Sequence, residues 1–80
     1  MASQRKIDQE RYDAAKASPE GIAIRIAYRN AIQAAKAAEK LEEATGSRAK
    51  AWADYEKAEG VALMDMHRAL HKLAGLPFQE

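Results

Sequence analysis

The fold is decided by the stretch Ser18–Trp52, SPEGIAIRIAYRNAIQAAKAAEKLEEATGSRAKAW. It opens on a helix start. The Ser18 hydroxyl can accept from a free N–H of the first turn. Pro19 has the φ of a first helical position and no N–H to leave unbonded, and Glu20 sets a negative charge at the positive end of the helix dipole. Beyond Gly21 no Gly or Pro interrupts the chain until Gly46, so a helix is predicted over 19–45. Gly46 is expected to adopt the left-handed cap that other residues avoid. Ser47 supplies the next N-cap at once, and a further helix is predicted over 47–74, ahead of Gly75-Leu76-Pro77. Each long helix spans about 40 Å. A connection this short forces the two antiparallel.

Working outward, a shorter helix is predicted over 3–17, capped by Ser3, with only Ile7, Tyr12, Ala14, Ala15 and Ala17 as apolar positions. Residues 75–80 form a tail in which Leu76 is placed to fold back on the last turn past the Gly75 cap. Phe78 is expected to dock on its own bundle, a short motif offered to a partner being the alternative. The expected fold is all-α: one helical domain, a long antiparallel hairpin with a shorter N-terminal helix, able to dimerise into a helical bundle.

The packing seams follow from periodicity. In the second helix Ile24, Ala27, Ala31, Ala34, Ala38, Leu41 and Thr45 recur at a 3-4 spacing. In the third, Trp52, Tyr55, Ala62, Met66, Ala69 and Leu73 form the main stripe, flanked by Ala51, Ala58, Leu63 and Leu70 and interrupted by Glu59. With the turn at Gly46, facing residues have numbers that sum to about 92 or 93. Leu41 is then expected near Ala51 and Trp52, Ala34 opposite Ala58, Ala31 opposite Ala62, Ala27 opposite Met66, and Ile24 opposite Ala69. Glu59 in the stripe calls for a partner, for which Gln33 or Lys36 is in register. Gly60, costly in mid-helix, is expected to mark a close approach or a bend.

Composition sets the limits. Of 80 residues 38 are apolar, yet 19 of those are alanine, so the core gains little per residue from burial. The apolar arc of the second helix exceeds half its circumference, and one partner helix covers only about 100°. A further partner is therefore expected, either the first helix or a second copy of the chain, and a homodimer is the favoured reading. There is no cysteine, which excludes disulfides, thiol catalysis and Cys-based zinc sites. No apolar run is long enough to span a bilayer and the N-terminus is polar, so a cytoplasmic location is expected. The net charge of +1 gives no global pull toward nucleic acid or anionic membrane.

Candidate sites are few. Arg25, Arg29, Lys36 and Lys40 form a cationic stripe on the polar face of the second helix, which Arg5, Lys6 and Arg11 extend if the first helix packs alongside. Such a row can meet an acidic protein surface or phosphates. It lacks interleaved aromatics and helix-turn-helix spacing, which makes nucleic acid the weaker alternative. Trp52 and Tyr55 near the hairpin tip, with Tyr28, are of the residue types that anchor protein interfaces, core packing at the turn being the plainer reading. His67 and His71 share a helix face at a spacing used by metal sites, but the HExxH glutamate and a third ligand are missing, so no metal is expected. If they met across a dimer axis, their protonation would weaken association. No nucleophile–base set, phosphate loop or cofactor motif is present, and a catalytic role finds no support.

The expectation is a non-enzymatic protein–protein interaction protein: an adaptor, regulator or inhibitor acting through a cationic and apolar helix surface. Small size without cysteine also fits phage or bacterial accessory proteins, host-defence inhibitors among them. The alternatives are a nucleic-acid-associated factor using the basic stripe and a structural bundle subunit of a larger assembly.

Overall fold

Each helix starts on a serine. In the computed structural model, which describes residues 3–78, the helices are α1 (Gln4–Ala17), α2 (Pro19–Thr45) and α3 (Arg48–Ala74), with no strand among the described residues. The hydroxyls of Ser3, Ser18 and Ser47 accept from the N–H groups of Lys6, Gly21 and Lys50 at 3.2, 3.1 and 3.3 Å. Each bond satisfies one of the free donors of a first turn.

Ser18 alone joins α1 to α2. It is extended, its hydroxyl donates to the Ala15 carbonyl at 2.6 Å, and its N–H points back to the carbonyls of Ala14 and Ala15. The two helices therefore diverge from one residue, and they pass so closely that a Cβ on Gly21 would collide with the Ala15 carbonyl oxygen. Gly21 is buried and Ala15 is 8% exposed. This close approach, which needs a glycine, was not expected from the sequence.

The other two caps divide. Gly75 takes the left-handed conformation at φ 74°, and the N–H groups of Gly75 and Leu76 bond to the carbonyls of Lys72 and His71 at 3.2 and 2.8 Å. Gly46 does not: at φ −158° it is extended, a conformation open to any residue. The tip is closed instead by charge, since Lys50 Nζ reaches back across the turn to Glu42 at 2.8 Å and along its own helix to Asp54 at 2.9 Å.

The antiparallel pairing of α2 with α3 has the expected level, because Ile24, Ala27 and Ala31 share a groove with Ala62, Met66 and Ala69. The face is different. Ile24, Tyr28, Ile32, Ala35, Glu39 and Glu42 are the half-buried positions of α2, whereas Ala27, Ala31, Ala34, Ala38, Leu41 and Thr45 are exposed, Leu41 at 69%. An apolar arc this wide lets the helix roll, and the larger side chains of Tyr28 and Ile32 gain more from burial than alanines do. Of the three residues expected together at the tip, Ala51 is fully buried, while Leu41 and Trp52 stay open to solvent, Trp52 at 55%. Glu59 is likewise exposed and meets Tyr55 of its own helix, not Gln33 or Lys36, and Gly60 borders open space, so it marks no close approach.

The result is long and thin. The radius of gyration is 16.3 Å, against about 12 Å for a compact chain of this length, and the axial extents are 57 × 24 × 15 Å. Ala15, Ala51 and Leu70 are the buried apolar residues among those described. No helix among them is long and apolar enough to cross a membrane.

Candidate functional site

The basic stripe lies open along α2. Arg25, Arg29, Lys36 and Lys40 are all exposed, on one face within about 60° of each other at 100° per residue. Among the described residues none of the four forms an ion pair with an acid. Arg25 and Arg29 flank a groove of about 360 Å³ floored by Tyr28, Ile32 and Met66. Two guanidinium groups beside an apolar floor can hold a carboxylate while apolar contact supplies affinity. Lys36 and Lys40 continue the charge toward the tip but do not line that groove.

Tyr28 belongs to both sides of the hairpin seam. It lines the Arg groove and also the groove on the opposite face, together with Ile24, Ala62 and Ala69. Ile32 was not singled out from the sequence, and Met66 was read only as part of the packing stripe of the third helix. The register pointed to Met66, which it places beside Ala27 and Tyr28. Ile32 was concealed because the expected seam assigned its neighbours Ala31 and Ala34 to the core.

Trp52 and Tyr55 stand apart from the Arg groove. Their rings lie 5.9 Å apart at 32°. Trp52 lines a separate hollow at the tip with Glu39, Glu43, Arg48 and Ala49. Tyr55 is half-buried, and a hydrogen bond to Glu59 holds the proton on its hydroxyl and pushes its pKa up. One oxygen of Glu39 is buried without a hydrogen-bond partner among the described residues. The tip hollow thus sets an exposed indole beside Glu39 and the Glu43–Arg48 ion pair at 3.9 Å.

Both histidines are placed against α1 and the tail. His67 Nδ1 lies 3.1 Å from the Tyr12 hydroxyl of α1. His71 Nδ1 lies 2.7 Å from the His67 carbonyl, which can only accept, so that nitrogen carries the proton. The His71 ring stacks between Tyr12 at 5.0 Å and Phe78 at 5.2 Å, and the Arg68 guanidinium lies 5.9 Å from the Phe78 ring. Among the described residues no group of three or more His, Cys, Asp or Glu is placed to hold a metal ion. This cluster fastens α1 and the tail to α3. The described part of the tail therefore docks at home: the Leu76 N–H bonds to the His71 carbonyl at 2.8 Å, and Leu76 lines one hollow with His67, His71 and Tyr12. Arg5 lines that same hollow with Asp8 and Gln9, so it belongs to a different face from the α2 stripe.

Compared with protein families, with curated proteins and with solved structures, the chain matches none.

Proposed function

We propose that the chain is a non-enzymatic binding protein that captures an acidic protein surface with the Arg25–Arg29 face of α2, acting as an adaptor, regulator or inhibitor. The observation that carries this reading is the pair of unpaired guanidinium groups beside the apolar floor of Tyr28, Ile32 and Met66. Arginines without acidic neighbours keep their charge for a partner, and arginine beside aromatic and methionine side chains is a composition enriched at interfaces. Lys36 and Lys40 add to the attraction at a distance and set the approach. Trp52 and Tyr55 at the tip form a second contact only for a partner long enough to reach both sites.

Affinity capture with the immobilised chain tests this, comparing wild type with R25E/R29E. The expected result is a partner with an acidic patch that the double variant no longer retains, while circular dichroism shows unchanged helicity. Retention unaffected by the charge reversal would overturn the reading. Titration with duplex DNA at increasing salt separates the alternative: affinity that falls steeply with salt and is stronger than that for the captured protein would make the stripe a phosphate-binding surface.

A further inference from the structure

The face of the hairpin opposite the His67–Tyr12 cluster carries a groove that α1 leaves open. Its two stretches, of about 280 and 680 Å³, share Ala31, Ala62 and Asp65, and no residue of α1 lines either. We propose that a second copy of this chain seats in this groove, antiparallel, with a two-fold axis level with Val61, so that α2 lies on α2 of the other copy and α3 on α3.

Two independent patterns select this arrangement. On α2 the edge formed by half-buried Ile24 and exposed Ala27, Ala31, Ala34, Ala38 and Leu41 has steps of three and four that read the same in both directions. An antiparallel copy centred between Ile32 and Gln33 sets Ala31 on Ala34, Ala27 on Ala38 and Ile24 on Leu41. The four alanines allow the axes to approach within about 8 Å, the close end of helix packing. Ile24 then covers Leu41, which is 69% exposed in the single chain.

On α3 the edge of the same groove carries Asp54, Lys57, Val61 and Asp65, and Arg68 follows on the same face one turn beyond. Charge changes sign about Val61. Antiparallel pairing centred there places Lys57 against Asp65, twice, while Asp54 and Arg68 are engaged within the chain by Lys50 and Asp65. A parallel copy related by a two-fold would instead lay α3 on α2 and match neither pattern. One step further out Lys50 would face Lys72, but Lys50 is already neutralised by Glu42 and Asp54. Val61, 55% exposed, sits on the axis and meets its own copy.

The two centres coincide. Residues at one level of the hairpin have numbers that sum to about 93, as Ala31 and Ala62 do in the groove, and the centre of the α2 pattern is thereby level with Val61. A single axis therefore satisfies the apolar pattern of one helix and the charge pattern of the other. The face is large enough: two helices about 40 Å long and together about 20 Å wide offer about 800 Å² per copy, which is what a stable interface uses.

Sedimentation equilibrium of the full chain across micromolar concentrations tests the proposal. The expected species has twice the 8.8 kDa mass. A31E, at an exposed helical position, is expected to yield a monomer of unchanged helicity. K57E and D65K singly are expected to weaken the dimer about tenfold, through like charges at the paired positions. K57E/D65K together restores it to within about threefold, since the new charges again oppose each other across the axis. The two positions are too far apart along α3 to rescue one another within one chain. A wild-type monomer at 100 µM, a dimer indifferent to A31E, or no recovery in the double charge swap would each overturn it. Arg25 and Arg29 line the neighbouring groove and not this one, so R25E/R29E leaves the dimer intact, and failure of the partner-capture reading and failure of this one are separable.

Discussion

Gly21 and Gly60 show how a residue's meaning depends on its surroundings. Both are glycines within a helix, and on propensity alone each costs about 1 kcal/mol relative to alanine. At Gly21 a Cβ would strike the Ala15 carbonyl, and backbone cannot step aside as a side chain can. Gly21→Ala is expected to destabilise by about 1–3 kcal/mol, the usual range for overpacking, by forcing α1 away from α2. At Gly60 nothing stands within 4 Å, and Gly60→Ala is expected to stabilise by about 1 kcal/mol. Chemical denaturation of both variants checks the opposite signs. A stabilised Gly21→Ala would show that α1 does not depend on the close approach. The sequence marked Gly21 only as part of a helix start, because the clash comes from a helix that returns in space.

At the scale of the element, the hairpin tip depends on ionised groups. A hydrogen bond from Lys50 holds the Asp54 carboxyl below the usual carboxylate range, and the hydrogen bond to Glu42, with that to Asp54, pushes the Lys50 ammonium above its ordinary value of 10.5. A depressed carboxylate contributes stability that is present above its unfolded value, near 4, and is lost as pH falls through the folded one. A raised ammonium contributes below 10.5 and loses that contribution as pH rises through its folded value. The tip is therefore held across the whole neutral range and loosens at both extremes. The expected observation is an Asp54 midpoint by carboxyl NMR that lies below the usual range in wild type and returns to it in Lys50→Ala. Because these groups are exposed, the change in overall stability is expected to be small. The elements themselves were legible from Ser3, Ser18, Pro19, Ser47 and Gly75. The Gly46 cap was misjudged because glycine at a helix end does not reveal whether the next residues turn back or run extended.

At the scale of the molecule, stability concentrates at one end. Leu70 is 1% exposed and lies on α3 between Met66 and Ala69, which border α2, and His67 and His71, which meet α1. It is the one large side chain among the described residues that is fully buried. Leu70→Ala is expected to cost about 2–5 kcal/mol, a large share of what a domain of this size has to lose. Thermal unfolding at several protein concentrations checks it. A melting temperature near that of wild type would mean that the core lies elsewhere. Toward the tip, by contrast, Leu41 and Trp52 remain exposed, which is the molecular reason to expect a second copy or another protein against the hairpin.

The sequence by itself determined the helices, their serine N-caps, the Gly75 cap and the antiparallel level of α2 and α3, because these depend on local chemistry and on the length of one turn. It also indicated the basic face, since Arg25, Arg29, Lys36 and Lys40 share a side of any helix. Only the tertiary structure decided which side of α2 turns inward. More than half of that helix's circumference is apolar enough to be buried, and Tyr28, Ile32 and the docking of α1 at Gly21 tip a balance that periodicity leaves even. That rotation moved the alanine seam from the inside of the hairpin to its open face. It also joined Ile32 and Met66 to the two arginines and withdrew His67 and His71 beneath Tyr12.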